Sequence, residues 1–487
     1  MCQRFPARCA LVLWLVATLT LVTTLTLVAH STLAEEVARD AVQPDDDTPR
    51  DQIVVLGHRS ETNWLETPAS ISVVHAQEIR RAQQQLTLGE SLGTLPGVFI
   101  QNRSNFAQDS RISIRGFGAR TPFGIRGIKL IVDGIPLTLP DGQGQVDSLD
   151  LSSAARIEVL RGPGASLYGS SAGGVISVTS DEGTPTPLVR SRVSLGSYGY
   201  RSYQAQGAGQ VGDWSYSLGL SRIEIDGYRD HSRAENVLLN TKFRYDVSDR
   251  SNLTMVLSHV DAPQADDPGG LTAEKVSADR NQAREENVDM KSGEDLENTT
   301  LGFVYRHGFN DHHETTLSSY FTWRDFMGRI PVAARGAIDL DRFFAGGAIK
   351  HTYRDLVFGR TNRLIVGVDV GGQRDKRKER EIDSESGAIG DRALDELQKV
   401  TSVGAFMQDE LTVAKDVRLS ASVRYDSVHF EVNDDFTDDL IGDLDDSDKL
   451  HFDEWSFSSA LVWTPYPSLN PFFQVATSFE TPTTNHQ

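Results

Sequence analysis

Five arginines fall between residues 101 and 127, in the stretch QNRSNFAQDSRISIRGFGARTPFGIRG, against a single acid, Asp109. The whole chain has a formal net charge of −20, so this is a local inversion of charge. A guanidinium group presents a planar fork of donors that matches a carboxylate or phosphate two bonds at a time. Arg111 and Arg115 can equally lie on the polar face of a strand. Arg103, Arg120 and Arg126 sit among Gly and Asn in loop-like sequence and are better placed to receive a small polyanion.

Other candidates for chemistry weaken under inspection. GSSAG at 169–173 has the spacing of a nucleophile elbow around Ser171, but that device needs a strand before the serine and a helix after it. Here VISVTS follows, which reads as a strand. RGPGAS lacks the third glycine and the βαβ setting of a dinucleotide loop and reads as a turn. His312, His313 and Glu314 are adjacent rather than at i, i+4 spacing, so no metal site is expected there. The aspartate-rich NDDFTDDLIGDLDDSD (433–448) lacks the glycine at six and glutamate at twelve of a calcium loop and reads as a solvated outer loop. No catalytic residue and no cofactor is assigned.

The elements that must position these arginines belong to a chain of four textures. The N-terminus carries two arginines and then the apolar CALVLWLVATLTLVTTLTLVA, with Thr32 and Ala34 before Glu35, which reads as a secretory signal over 1–34; an uncleaved anchor is the alternative. The only cysteines, Cys2 and Cys9, lie in it, so the remainder has no disulfide framework or thiol chemistry. Residues 35–60 read as a flexible, polar tail in which Ile53, Val54 and Val55 stand out as a β-branched cluster. Residues 61–185 read as a small α+β domain. It has two short helices, over AQEIRRAQQQ and over TLGESLGTL with Thr87 and Glu90 in capping-box spacing. Short strands such as RISIRG, IKLIVDG and RIEVLRG complete it.

Residues 186–487 change to long segments of period-two alternation. Val417, Leu419, Ala421, Val423 and Tyr425 share one face in VRLSASVRYDSVHFEV, with Arg418, Ser420, Ser422, Arg424 and Asp426 on the other. Leu364, Val366, Val368 and Val370 repeat the pattern, as do Trp455, Phe457, Leu461 and Trp463. Short turns alternate with long connections expected near 262–296, 327–345, 375–399 and 431–452. Segments of about ten residues or more, apolar on one face and joined alternately by short and long connections, describe a transmembrane β-barrel. About thirteen strands are expected between 189 and 480. A barrel of that width has a lumen in which the domain at 61–185 can sit. A composition 39% hydrophobic, with no apolar run of helical-span length beyond the N-terminus, excludes a helical membrane protein. The absence of a broad basic surface excludes a nucleic-acid binder.

ISIRGFG (112–118), IVDGIPL (131–137) and IEVLRGPGASLYGSSAGGVISV (157–178) resemble the plug signatures of TonB-dependent outer-membrane receptors. The resemblance runs from about residue 51 to 482. Within the family, QNRSNFAQD (101–109), GIRGIKLIVDGIPLTLPDGQGQ (124–145), GYRDHS (227–232), ADDPGGLT (265–272) and FETPT (479–483) are most similar to receptors for pyrroloquinoline quinone. Ferric-siderophore receptors, which share the plug motifs, are the alternative.

The resemblance implies a plug inside an antiparallel barrel of 22 strands, of which about thirteen are present. It implies an uptake receptor in the outer membrane of a Gram-negative bacterium, driven through TonB with ExbB and ExbD, embedded in outer-membrane lipid and built by the barrel-assembly machinery. Asp51, Gln52, Ile53, Val54 and Val55 match its TonB box. A β-branched segment in a polar tail can be added as a strand to a partner's sheet edge, which gives the box its physical sense. Pyrroloquinoline quinone carries three carboxylates, which points to Arg103, Arg120 and Arg126 as its ligands, with Gln143 and Gln145 of DGQGQ as hydrogen-bonding partners. Arg115, Gly116, Asp133, Gly134, Arg161, Gly162 and Gly169 match plug motifs and are expected to hold the plug together. Members of the family end on an aromatic residue, whereas this chain stops at TPTTNHQ. The expectation is therefore of an incomplete receptor whose function belongs to the whole, or of a non-functional fragment.

Overall fold

The computed structural model describes residues 54–55, 62–63, 67–101, 105–121, 124–436, 446–466 and 469–482. In chain order the first part runs β1 (Val54–Val55), β2 (Thr62–Asn63), β3 (Ser70–His75), α1 (Ala76–Arg80), α2 (Leu88–Leu92), β4 (Val98–Gln101), β5 (Arg111–Ile114), β6 (Ile128–Val132), β7 (Ile135–Pro136), β8 (Ala154–Arg161), α3 (Ala165–Tyr168) and β9 (Gly174–Ser180). β3, β8, β9, β6 and β7 form one sheet in that order, antiparallel except where β6 runs parallel to β9. β4 and β5 form a separate hairpin. Ile79 and Leu92 from the helices pack with Ile112, Ile114, Ile128, Ile157 and Ile176, all essentially without solvent exposure. Burial of this many branched side chains gives the small domain its own core.

Local chemistry sets its turns and helix ends. The Glu90 carboxylate accepts the backbone N–H groups of Gln84, Gln85, Leu86 and Thr87, which nucleates α2 through the expected capping box. The same contacts end α1 early. A helix over 76–85 would spend those N–H groups internally, and the chain instead leaves it at Arg80, with Ala82 and Gln85 at φ +54° and +63°. Asp133 and Gly134 both have positive φ, +50° and +83°, the geometry of the tight hairpin turn that joins β6 to β7.

The second part is a single antiparallel meander of thirteen strands: β10 (Leu188–Leu195), β11 (Arg201–Val211), β12 (Trp214–Ile225), β13 (Ala234–Ser248), β14 (Ser251–Asp266), β15 (Gly293–Gly308), β16 (His313–Arg329), β17 (Ala337–Val357), β18 (Arg360–Ile382), β19 (Ile389–Ala414), β20 (Val417–Asp434), β21 (Asp448–Trp463) and β22 (Phe472–Ala476). α4 (Ala273–Ala278) and α5 (Glu285–Asp289) lie in the connection between β14 and β15. β10 and β22 are the two edges of the sheet. The strand count and the plug-in-barrel class agree with the sequence reading.

Two of the expected long connections are corrected. β17, β18 and β19 run for 21, 23 and 26 residues, so the links at 330–336 and 383–388 are short and most of 327–345 and 375–399 is strand. About ten residues suffice to cross the membrane, so these strands project well beyond it at one end, here called outer. The polarity explains it. In β20 the inward Ser420, Arg424 and Asp426 are buried with Leu419 exposed, but further along Val428, Phe430 and Val432 turn inward and His429 and Glu431 outward. The apolar face switches sides where lipid gives way to water. Within the lipid band the outward face carries Trp214, Trp323, Trp455, Phe457 and Trp463, each about half exposed. This is the aromatic-rich exterior of a membrane barrel.

Candidate functional site

The plug lies against the lumen-facing side of the sheet through a few polar anchors. Asp133 Oδ2 accepts the Ser180 hydroxyl at 2.6 Å, and Oδ1 accepts the Ser180 N–H at 3.1 Å and the Lys242 ammonium at 2.9 Å. Arg424, buried on β20, donates to Asp369 at 2.6 Å, to Asp426 at 2.7 Å and to the Leu167 carbonyl of the plug. Gly169 lies against this group, and a Cβ there would stand 2.9 Å from Asp426 Oδ1. Arg161 donates to the Pro96 carbonyl and to Ser72 Oγ, and burial beside Arg115 pushes its guanidinium pKa down. Arg115 itself has φ +52° and donates its N–H to Gly97, next to Gly116 at φ +89°. Gly162, at φ +116°, donates its N–H across the plug to the Gly173 carbonyl. Thus Arg115, Gly116, Asp133, Gly134, Arg161, Gly162 and Gly169 all lie at turns or anchor points of the plug.

The described members of the predicted ligand set fall at the outer end. Arg103 is outside the described residues, and Arg120 is exposed in the turn that follows Gly118. Arg126 is engaged: it donates to the Asp141 carbonyl at 3.0 Å, and its guanidinium stands 3.5 Å from the Asp141 carboxylate. Burial lowers its pKa, and Asp141 opposes that shift. Asp141 also accepts the Gln143 N–H at 2.8 Å, so Arg126, Asp141 and Gln143 form one unit. Gln145 is half-buried in the same loop. Among the TonB-box residues, Asp51, Gln52 and Ile53 lie outside the described residues. Val54 and Val55 form a strand paired antiparallel with Asn63 and Thr62.

Several partners were not visible in the sequence. Asp267, in the long connection after β14, accepts Asn105 Nδ2 at 2.9 Å, Gln108 Nε2 at 3.0 Å and the Gly269 N–H at 2.9 Å. Arg229 ties that connection to the one after β12 by donating to the carbonyls of Pro268, Gly269 and Gln282. Arg324 of β16 pairs with Asp147 of the plug at 2.8 Å, and Arg342 with Asp375 at 2.6 Å. Asp109, the lone acid among the five arginines, stands near them. Burial and the Asp147 carboxylate raise its pKa to about 6, against the pull of Arg324 and Arg342. Ser171 is fully buried, donates to the Gly169 carbonyl and is preceded by α3 and followed by β9, the reverse of a nucleophile elbow. His313 and His351 meet at 3.1 Å between ring nitrogens, near the end of the barrel opposite the plug apex.

Comparison with known proteins decides the family. Residues 64–176 match the TonB-dependent receptor plug domain, and residues 227–487, more than half of the chain, match the TonB-dependent receptor-like β-barrel. The chain belongs to the TonB-dependent receptors. Their barrel lies in the outer membrane, which it crosses with strands, and the thirteen-stranded sheet here is part of such a barrel; no described helix is long and apolar enough to cross a membrane. The unliganded ferric citrate transporter FecA superposes with a TM-score of 0.76 at 18% identity, over 88% of this chain and 65% of that one. The siderophore receptor PiuA from Acinetobacter baumannii gives 0.70 at 15%, over 88% and 67%. The ferric yersiniabactin uptake receptor FyuA from Yersinia pestis gives 0.69 at 16%, over 84% and 64%. The chain thus spans about two thirds of the length of these solved receptors.

Proposed function

We propose that this receptor takes up a small polyanion across the outer membrane, with pyrroloquinoline quinone as the ligand, and that TonB, energised through ExbB and ExbD, pulls on the box at Asp51–Val55. The observation that carries the ligand reading is convergence. The stretches most similar to quinone receptors meet at the plug apex: Asn105 and Gln108 on Asp267, Arg229 on Pro268 and Gly269, and Arg126 and Thr481 on Asp141. Shared chemistry at such a junction is what one ligand would select. Arg120 supplies charge for carboxylates there, Arg126 holds the floor of the site through Asp141, and Gln143 and Gln145 offer hydrogen bonds; Arg103 is assigned to the ligand on its sequence context alone. The extended, paired backbone of Val54–Val55 supports the box reading, because TonB would bind it by strand addition.

A ferric-siderophore ligand is the second reading, favoured by the names of the neighbours, one of which carries ferric citrate, itself a carboxylate complex. Equilibrium binding of the quinone and of ferric citrate to the receptor in outer-membrane vesicles separates the two. Replacing Arg103, Arg120 and Arg126 together by Ala is expected to weaken quinone binding at least about tenfold, or ~1.4 kcal/mol. Because Arg126 also braces the loop, Arg120→Ala alone should account for part of that loss. Unchanged affinity in the triple variant rejects the site, and binding of ferric citrate but not quinone rejects the ligand.

A further inference from the structure

Past β22 the chain leaves the sheet and turns into the lumen. Thr477 makes the last link to the barrel wall, exchanging hydrogen bonds with Phe457 in both directions at 2.9 Å. From there residues 477–482 form a strap that lies on the plug. The Thr481 hydroxyl donates to the Asp141 carbonyl at 2.7 Å, its N–H donates to Ser170 Oγ at 3.1 Å, and the two hydroxyls stand 3.3 Å apart. Thr481 is only 7% exposed. Glu480 packs against the backbone of Gly127 and feels the charge of Arg126. Gly127 and Gly142 leave no room for a Cβ beneath the strap, so the fit is close on both sides.

The strap has two faces. Glu480 is turned to Arg126 and the outer cluster, whereas Phe479 and Thr481 line a cavity of about 470 Å³ between plug and barrel wall. That cavity reaches towards the turn end of the barrel, where Asn252 and Arg306 border it, and basic side chains outnumber carboxylates in its lining. Neither Arg126 nor Arg120 lines it. The strap and the Asp141–Gln143 loop are therefore the layer between the outer arginines and the inner cavity.

We propose that residues 477–482 are a latch that ties the barrel to the plug and closes the way from the apical site into this cavity. The Ser170–Thr481 contact must break before an anionic ligand enters it. The inference extends the uptake reading above and rests on it only for the nature of the passenger.

Two measurements on the receptor in intact cells test it. In the first, Ser318, on the wall of the cavity, is replaced by Cys, and a membrane-impermeant maleimide is added from outside. Thr481→Ala should speed labelling about tenfold, the factor carried by roughly one net hydrogen bond, and Thr481→Ser should restore the slow rate. Labelling as fast with the strap intact, or unchanged by Thr481→Ala in receptor of normal abundance, overturns the latch. In the second, Ser170→Cys with Thr481→Cys creates a cross-link in a chain whose only other cysteines are Cys2 and Cys9. Oxidised cells should bind pyrroloquinoline quinone but take none up until a reductant is added. Uptake indifferent to the cross-link also overturns the proposal. If the quinone does not bind the unmodified receptor, the ligand reading fails, and the labelling rates still decide the latch.

Discussion

Lys242→Met should loosen the plug on the barrel wall by a calculable amount. The ammonium lies 2.9 Å from Asp133 Oδ1, with side chains only 10% and 3% exposed, and 3.4 Å from the exposed Glu182. At an effective dielectric of about 20 the gross attraction across 2.9 Å is about 6 kcal/mol. Desolvation of two nearly buried groups offsets much of that, yet removing one partner strands the other, at a cost of ~3–5 kcal/mol in such pairs. Asp133 keeps two hydrogen bonds from Ser180, so the lower end, about 3 kcal/mol, is expected. Glu182 is too exposed to change this. Asp133→Asn isolates the charge without backbone strain, because Asn tolerates the positive φ of +50° found there. The double variant should cost less than the sum of the singles, with a coupling on the order of 2 kcal/mol. Amide exchange of β9, measured by mass spectrometry on receptor in vesicles, reads the opening equilibrium directly. A change of about 3 kcal/mol accelerates it by roughly a hundredfold. Acceleration below about twofold, or strictly additive singles, would refute the reasoning that this pair holds the plug.

Two further outcomes follow from the apex. Asp109 titrates at about 6 in the folded receptor against 3.8 unfolded. The folded state thus holds a proton, between about pH 4 and pH 6, that the unfolded state has released. Stability therefore falls as pH rises through that window, by about 3 kcal/mol in all, and the penalty persists above it. Asp109→Asn should flatten the dependence of melting temperature on pH over this range; an identical slope in both proteins removes Asp109 from the account. Asp267→Ala strands the amide donors of Asn105 and Gln108 and frees the loop it anchors. Trypsin added to intact cells should then cut near Lys275 and Arg280 at least about tenfold faster, the charged hydrogen bonds lost being worth ~1.5–3 kcal/mol each. Equal cleavage rates would show that Asp267 does not hold the loop.

What was legible in the sequence follows from what lipid and turns enforce. Period-two alternation marked the thirteen strands because, between lipid and lumen, every second side chain must be apolar. The same rule hid the outer ends of β17, β18 and β19. Beyond the lipid both faces meet water or a small local core, and EREIDSESGAIGDRALDEL then looks like loop although most of it is paired strand. The capping box at Thr87 and Glu90 was readable, but not that Glu90 would also take the N–H groups of Gln84 and Gln85 and so cut α1 short. The arginine excess was visible as a count. Its local balance was not: Arg126 is engaged by Asp141 from the next loop, and the plug acid Asp147 is taken by Arg324, 177 residues away on β16.

That distribution of partners bears on how a plug can be both firmly seated and removable. The Lys242–Asp133 pair is a buried ion pair across the plug–barrel contact and resists partial displacement because stranding either charge is costly, whereas Arg424, paired with Asp369 and Asp426 inside the barrel wall, gives the plug one hydrogen bond at the Leu167 carbonyl. The outer contacts are mixed: beside the Arg324–Asp147 ion pair stand Asp267 with two amides, and Thr481 with a carbonyl and a serine hydroxyl. The neutral hydrogen bonds of Thr481 are each worth about 1 kcal/mol net, and those accepted by the Asp267 carboxylate ~1.5–3 kcal/mol. A pull on the chain N-terminal to β3 would therefore meet its main resistance at the buried pairs. A polyanion arriving from outside would act first on the exchangeable layer of loop, strap and Arg126. On this view both ends of the plug carry an ion pair to the barrel, Lys242–Asp133 and Arg324–Asp147, and the apex differs in the layer of weaker hydrogen bonds laid over it.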